Sequence, residues 1–360
     1  MHCGENLGLP KAPCSVQAEQ VKVREWDPRV ATATEITTVV ETLNTVMSVD
    51  LPDDPSWRDV LMREYLSVTM PGERKITWIA EKEEGDLARG IPLLGFASIL
   101  LLGDIGVVEC IVHPEMRKQG LGRTLLHAVV SRAHAEKFQA IGVEVPGGTP
   151  GVEFYTGLGF RKAFTEQRSV LDLDTVDWYA LGELANGVAT GYTIRFYPDS
   201  PPDELIEAYA AAKAEVQDVD LGDLDLRPSS YEPDRLRASL ACLHARGLRP
   251  YIVVAVHETT GVVAGLTEVV VPEQRPMRAD QYDTVVVPAH RGYGVGRAIK
   301  ARMLFELRSA VPSLRQVQTW NAAVNEPLLK VNAELGFSAD RDWLEFEADV
   351  PDLARVLGIA

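Results

Sequence analysis

Two segments of this 360-residue chain carry the same spacing of arginine and glycine. They are Arg117-Lys118-Gln119-Gly120-Leu121-Gly122-Arg123 and Arg291-Gly292-Tyr293-Gly294-Val295-Gly296-Arg297. Each follows a β-rich run that ends at a proline, Pro114 or Pro288, and each opens directly into an amphipathic helical pattern. A strand-to-turn-to-helix passage of this kind gathers free backbone N–H groups at a helix N-terminus, where the helix dipole favours an anion. Glycines let the backbone approach phosphate oxygens closely, and the arginines offer charge to pair with them. Glycines can also mark only a tight turn, but the same turn in two places favours a phosphate-bearing ligand. No Gly-Lys-Ser/Thr follows, so the turn is not a P-loop, and the third glycine of a dinucleotide fingerprint is missing.

The other residues able to do chemistry are fewer. Glu109 and Asp283 stand at the same place in the strand before each turn, acids in runs that should be largely buried, where carboxyl pKa values rise. Such a group suits a water-relayed proton acceptor, and equally a structural carboxylate that accepts hydrogen bonds. Glu144 and Glu268 are weaker candidates of the same kind, and His113 and His290 read as solvent-facing loop residues. Asn321, Asn325 and Asn332 form either a substrate-recognition surface or a set of caps and turns. Cys3, Cys14, Cys110 and Cys242 lack C-x-x-C spacing, so neither a disulfide framework nor a metal site is expected.

The elements that must position these groups also occur twice. Leu158-Gly159-Phe160 is echoed by Leu335-Gly336-Phe337 at nearly the same distance from its glycine turn, so the chain is a duplication. The expected division is a tail (1–20), a first copy (21–173), a linker (174–191) and a second copy (192–360). Within each copy, two helices come first, over 33–47 and 56–69 or over 203–216 and 233–246. Short strands follow, then the strand entering the glycine turn, a helix with Leu121, Leu125, Leu126 and Val129 at helical spacing, and a buried strand. A short helix ends at Leu-Gly-Phe before the closing strands. This order is α/β, with a mixed sheet and helices on its faces. Against 36 Lys plus Arg stand 52 Asp plus Glu, a net charge of -16, which argues against nucleic acid or anionic membrane as a partner and suits a cationic acceptor. The first residues show neither a basic region nor an apolar one, and a cytoplasmic protein is expected.

The paired turns satisfy Arg/Gln-x-x-Gly-x-Gly/Ala, and the chain resembles the GNAT superfamily of acyltransferases across both copies. It is similar in architecture to duplicated members, among them mycothiol-synthase-like and actinomycete specialised-metabolism enzymes. The resemblance implies two tandem domains, each a twisted mixed sheet that splays between its fourth and fifth strands to hold the thioester of acetyl-CoA or another acyl-CoA. Ile111 and Val112, or Val286 and Val287, would pair with the pantetheine arm, and the amides of 118–123 or 292–297 would hold the pyrophosphate. The family's acid is a tyrosine four residues before the Leu-Gly-Phe glycine, present as Tyr155 in the first copy and replaced by Asn332 in the second. A family asparagine seven residues earlier shows the reverse, Gly148 in the first copy and Asn325 in the second. The titratable residue places catalysis in the first copy, with the second structural or a second acyl-CoA site. The function implied is transfer of an acyl group to an amine of a small molecule in a ternary complex. Alternatives are a donor carried on an acyl carrier protein, a protein-lysine acetyltransferase, and a non-catalytic acyl-CoA sensor.

Overall fold

The structure, a computed structural model, describes residues 21–82, 87, 90, 92–215, 231–322 and 324–359. The expected tail (1–20) and the last residue of the helix expected over 203–216 lie outside them.

The first copy runs β1 (Val21–Trp26), α1 (Ala33–Asp50), α2 (Met62–Ser67), β2 (Arg74–Lys82), β3 (Gly95–Leu102), β4 (Ile105–Val112), α3 (Leu121–Ala135), β5 (Ala140–Pro146), α4 (Pro150–Gly157) and β6 (Arg161–Asp172). Helix α5 (Trp178–Asn186) leads into the second copy. That copy repeats the order as β7 (Tyr192–Pro198), α6 (Ile206–Ala214), α7 (Pro233–Ala245), β8 (Leu248–His257), β9 (Val263–Pro272), β10 (Arg278–Val286), α8 (Val295–Ala310), β11 (Gln316–Ala322), α9 (Glu326–Glu334), β12 (Ser338–Asp349) and α10 (Val350–Leu357).

Local chemistry accounts for most boundaries. Helix α1 starts in a reciprocal cap, with Thr32 Oγ1 accepting the Glu35 N–H and the Glu35 carboxylate accepting the Thr32 N–H. Its buried Ile36, Val39, Val40 and Val46 then fall on one face. The helix expected over 56–69 shrinks to α2, because its early backbone is bonded elsewhere. Trp57 exchanges two hydrogen bonds with the Asn44 side chain, and the Arg58 N–H donates to the Gln274 carbonyl. The expected linker is part of the fold, since α5 packs on α8 and sets Trp178 edge-on to Phe305 at 5.5 Å.

All the strands join one twelve-stranded sheet in the order β1-β2-β3-β4-β5-β12-β6-β11-β10-β9-β8-β7. The two copies therefore do not meet as separate sheets. Strand β12 of the second copy lies antiparallel between β5 and β6 of the first, and β6 lies between β12 and β11. The helices after the exchanged strands follow them: α10 packs on α3 and α5 on α8. One core joins Leu125, Leu126 and Val129 of α3 to Phe346 of β12 and to Val350 and Leu353 of α10. Its counterpart joins Ile299, Met303 and Leu307 of α8 to Leu171 of β6 and Leu181 of α5. On the opposite face, α1 and α2 pack over Ile79 and Phe96, and α6 and α7 over Ile252 and Val254.

A buried charge cluster locks the seam. Asp54, on the loop after α1, accepts hydrogen bonds from Arg168 of β6 at 2.8 Å and Arg278 of β10 at 2.6 Å. The three side chains are only 1–2% exposed. Arg168 also donates to Asp340, and Arg278 to Gln316. Burial alone would raise the Asp54 carboxyl, but the two guanidinium groups outweigh it and hold it below the ordinary range.

Candidate active site

Strands β4 and β5 pair, in parallel, only over residues 105–107 and 140–142. Beyond that they splay, and the opening is a cleft of about 790 Å³. The glycine turn at Lys118, Gly120 and Gly122 closes one end. Glu109, Glu144 and Trp343 border the other, with Tyr155 and Phe154 along the wall and α1 residues such as Met47 as a lid. Trp343 belongs to β12, so the second copy contributes to the first copy's cleft.

Backbone conformation explains the turn's composition. Gly120 has φ +87°, and a Cβ there would meet nothing within 4 Å, so it is the left-handed backbone and not crowding that calls for glycine, and the space in front of it is open. Lys118, also left-handed at φ 59°, corresponds to Gly292 at φ 84°, which accounts for the one place where a glycine of the second turn has no glycine opposite it in the first. Gly122 permits close packing, since a Cβ would lie 3.3 Å from the Phe154 ring. The Gln119 side chain donates to the Glu115 carbonyl, and the Leu121 side chain enters the core.

Several side chains do something other than what their types suggest. Arg117 was expected to face phosphate, but both its terminal nitrogens donate to Asp50 at 2.7 Å and its Nε to the Val112 carbonyl at 3.1 Å. It clamps the end of α1 to β4. Arg123 donates to the Val356 carbonyl of α10, and exposed Lys118 pairs with Glu153 at 3.3 Å. On β4 the His113 N–H donates to Leu94, so by antiparallel alternation the backbone groups of Val108, Cys110 and Val112 point away from β3 into the splay. Those of Ile111 point to β3. The free strand edge is thus Cys110 and the Val112 N–H, the Val112 carbonyl being held by Arg117, and Cys110 is a position the sequence reading missed. Register between neighbouring strands was the signal that would have found it.

Tyr155 lies in the cleft wall, its ring edge-on to Phe154 and to Phe160 at 5.0 Å each. Burial, followed by the neighbouring Cys110, raises its hydroxyl well above the ordinary phenol range, so it stays protonated. Cys110 itself is pushed up to about 12 by burial and is a neutral thiol. Glu109 accepts from Lys75 and from Ser98, each at 2.9 Å, and its side chain is 52% exposed. The Lys75 charge is the largest influence on it and, against burial, lowers its pKa. This reverses the raised proton affinity expected from its strand.

In the second copy β10 pairs with β11 over residues 278–281 and 316–319, and β10 is irregular between Gln281 and Thr284. Here the connection between copies lies on the glycine turn. A Cβ on Gly294 would sit 2.8 Å from the Gly187 carbonyl oxygen, and the Ala189 N–H donates to the Tyr293 carbonyl at 3.0 Å. Arg291 donates to the Val286 carbonyl, Val295 enters the core, and exposed Arg297 pairs with Glu334 at 3.4 Å. Gly296 packs its α-carbon near Val286, and Val287 bonds through its N–H to Ala264. Asp283 pairs with Lys213 at 3.1 Å, and Lys213 also reaches Glu268. His290 accepts or donates with the Tyr192 hydroxyl at 2.9 Å, and His113 accepts from the Glu115 N–H.

The three asparagines do not form a recognition surface in the cleft. Asn325 caps α9 by accepting the Leu328 N–H. Asn332 is buried and donates to Asn321 at 2.7 Å, so this pair ties α9 to β11. Among the described residues, no group of three or more acids, histidines or cysteines could hold a metal ion. No helix there is long and apolar enough to cross a membrane.

Comparison with known proteins agrees with this geometry. Residues 73–162 match a family model described as an acetyltransferase (GNAT) domain. A mycothiol acetyltransferase of Kineococcus radiotolerans is 27% identical over 273 residues, 74% of this chain and 80% of that protein. One from Stackebrandtia nassauensis is 34% identical over 130 residues, 35% of this chain and 40% of that protein. Among solved structures, a tandem GNAT protein from the clavulanic acid biosynthesis pathway superposes with a TM-score of 0.76 at 25% identity, covering 92% of this chain and 99% of its own. A GCN5-related N-acetyltransferase of Sphaerobacter thermophilus, at 14% identity and a TM-score of 0.66, shares the fold. Residues 73–162 thus match a GNAT acetyltransferase domain, and the chain as a whole shares the fold of a tandem GNAT protein, with its two copies built into a single sheet.

Proposed function

We propose that the protein moves an acetyl or other acyl group from acyl-CoA to an amine of a small molecule, by direct attack in a ternary complex within the first copy's cleft. The observation that carries this reading is the continuity of that cleft, which runs from the open Gly120 turn past the splayed edge of β4 to Tyr155. The donor's pyrophosphate would meet the backbone amides of residues 118–123, and its pantetheine arm would run along the free edge at Cys110 and Val112. The acyl carbonyl would then lie in the splay, within reach of Tyr155.

Chemistry follows from those positions. The amine loses a proton and attacks the thioester carbon, and collapse of the adduct expels the thiolate. Tyr155, kept neutral by burial, gives that sulfur its proton. The second copy is read as structural, because residues 187–189 pack on its glycine turn and Asn332 offers no proton where Tyr155 stands. Mycothiol acetyltransferase likenesses favour a small-molecule acceptor over a protein lysine. Thiol release from acetyl-CoA across a panel of small amines tests the reading, with acyl-pantetheine beside it to weigh a carrier-protein donor. Amine-dependent release that disappears in Tyr155→Phe supports it, whereas donor binding without turnover on any amine would leave the sensor alternative standing.

A further inference from the structure

We propose that the proton leaving the attacking ammonium is taken by a carboxylate pair, Glu144 of the first copy and Glu345 of the second, which the strand exchange brings face to face. This rests on the proposed amine acylation and assigns its base. In the sheet register Glu345 is the direct antiparallel partner of Glu144, so the two carboxylates share a face. That face is also Glu109's, because Val108, Cys110, Val143 and Val145 pack on the α3 side. Glu144 borders the cleft at the end where the acceptor must enter, with Trp343, two residues before Glu345, beside it.

The charged surroundings separate this pair from Glu109. Glu109 is held by Lys75 and Ser98, both through its Oε2, and the lysine charge lowers its proton affinity. No lysine, arginine or histidine among the described residues forms an ion pair with Glu144, Glu345 or Glu166. Asp50 and Arg117, which line the same cleft, satisfy each other. Around the pair stand Glu109 from β4, Glu166 from β6 and the Trp343 indole, which donates to Glu144. Glu144 is open to solvent at the cleft, but the protein packed around it, and then Glu109, raise its proton affinity. Burial, then Glu144 and Glu166, raises Glu345 to about 8, and burial with Glu144 raises Glu166 to about 7. Such a pair titrates as a unit, and near neutral pH it attracts an ammonium and accepts its proton.

The step balances. Glu144 takes one N–H proton, which frees the nitrogen lone pair to bond to the thioester carbon. The C–S bond breaks with its electrons on sulfur, and Tyr155 protonates that sulfur. The tyrosinate recovers a proton from the new amide nitrogen, and Glu144 returns its own to solvent. Glu345 is a positioning residue that acts through Glu144.

The test uses the full chain with acetyl-CoA and 1,4-diaminobutane as the probe amine, and follows kcat/KM against pH in Glu144→Gln, Glu345→Gln and Tyr155→Phe. Carboxyl-carbon NMR of glutamate-labelled protein, assigned with the same variants, follows titration without any acceptor. Expected results are a loss of about 100-fold or more in Glu144→Gln and, in Glu345→Gln, an acid limb and a Glu144 titration moved down by about half a pH unit or more. A Glu144→Gln enzyme within about fivefold of the parent would overturn the proposal, while loss in Tyr155→Phe would leave amine acylation standing. If the probe is not turned over, a Glu144 signal that titrates near 4 and ignores Glu345→Gln overturns it as well.

Discussion

Tyr155 and its two aromatic neighbours show how one residue can serve packing and chemistry together. Its ring is wedged edge-on between Phe154 and Phe160, so Tyr155→Phe keeps the packing and removes the acid. The expected outcome is a fall in kcat of about 100- to 10,000-fold with a melting temperature close to the parent's, checked by steady-state kinetics and calorimetry. A drop below about fivefold would point to another proton source. Asp54 is the structural counterpart. Asp54→Ala leaves Arg168 and Arg278 buried without their shared anion, a change that costs roughly 3–5 kcal/mol in comparable cases. Because the Asp54 carboxyl is held below its unfolded value, its contribution is present above that value and is lost as pH falls through the folded one. Chemical denaturation of parent and variant at neutral and acid pH reads both effects. At this scale the glycines and Tyr155 were legible in the sequence, because their spacing is local. The partners of Arg117, Glu109 and Asp54 were not, since Asp50, Lys75 and Arg278 reach them through the tertiary fold.

The repeat exposes what each element tolerates. Helices α3 and α8 are equivalent, and where α3 buries Leu126, α8 buries Lys300, 2% exposed, its ammonium nitrogen without a hydrogen-bond partner and 5.3 Å from the Phe337 ring centre. Burial lowers its pKa to about 7. Between that value and the ordinary lysine range the unfolded chain binds the extra proton, so stability should rise with pH by roughly 1.4 kcal/mol per unit across this window. Below pH 7 the burial penalty is present in full. Lys300→Leu should therefore raise the melting temperature at pH 7 and flatten this pH dependence, and an unchanged melting curve would contradict the assignment. The order of helices and strands was readable from apolar periodicity, including the α/β class and both glycine-turn helices. Helix α2 was overestimated because residues 57–58 hydrogen-bond to Asn44 and Gln274. The segment holding α5 reads as a linker because 174–191 mixes acids, glycines and small residues, although Trp178 and Tyr179 point to some packing.

At the scale of the molecule, duplication was visible in the sequence and strand exchange was not. Residues 338–349 read like any closing strand, and nothing local records that β12 completes the first copy's sheet. The topology makes the fold of the first copy depend on the second. A fragment of residues 1–185 lacks β12 and α10, which leaves β5 without its outer partner and α3 without its cover. It should show no cooperative melt, and a stably folded monomer would contradict the shared-sheet account. The exchange also gives the two glycine turns different surroundings, with residues 187–189 lying on the second and open space before the first. The central claim is that acyl-CoA chemistry belongs to the first copy, and titration calorimetry with coenzyme A tests it most directly, on the parent chain, Gly120→Glu and Arg291→Glu. Arg291 is exposed, so its replacement places negative charge at the second turn without disturbing the core. The account predicts one site per chain, weakened by about tenfold or more in Gly120→Glu and unchanged in Arg291→Glu. Two equivalent sites, or a loss of binding in Arg291→Glu with Gly120→Glu unaffected, would contradict it.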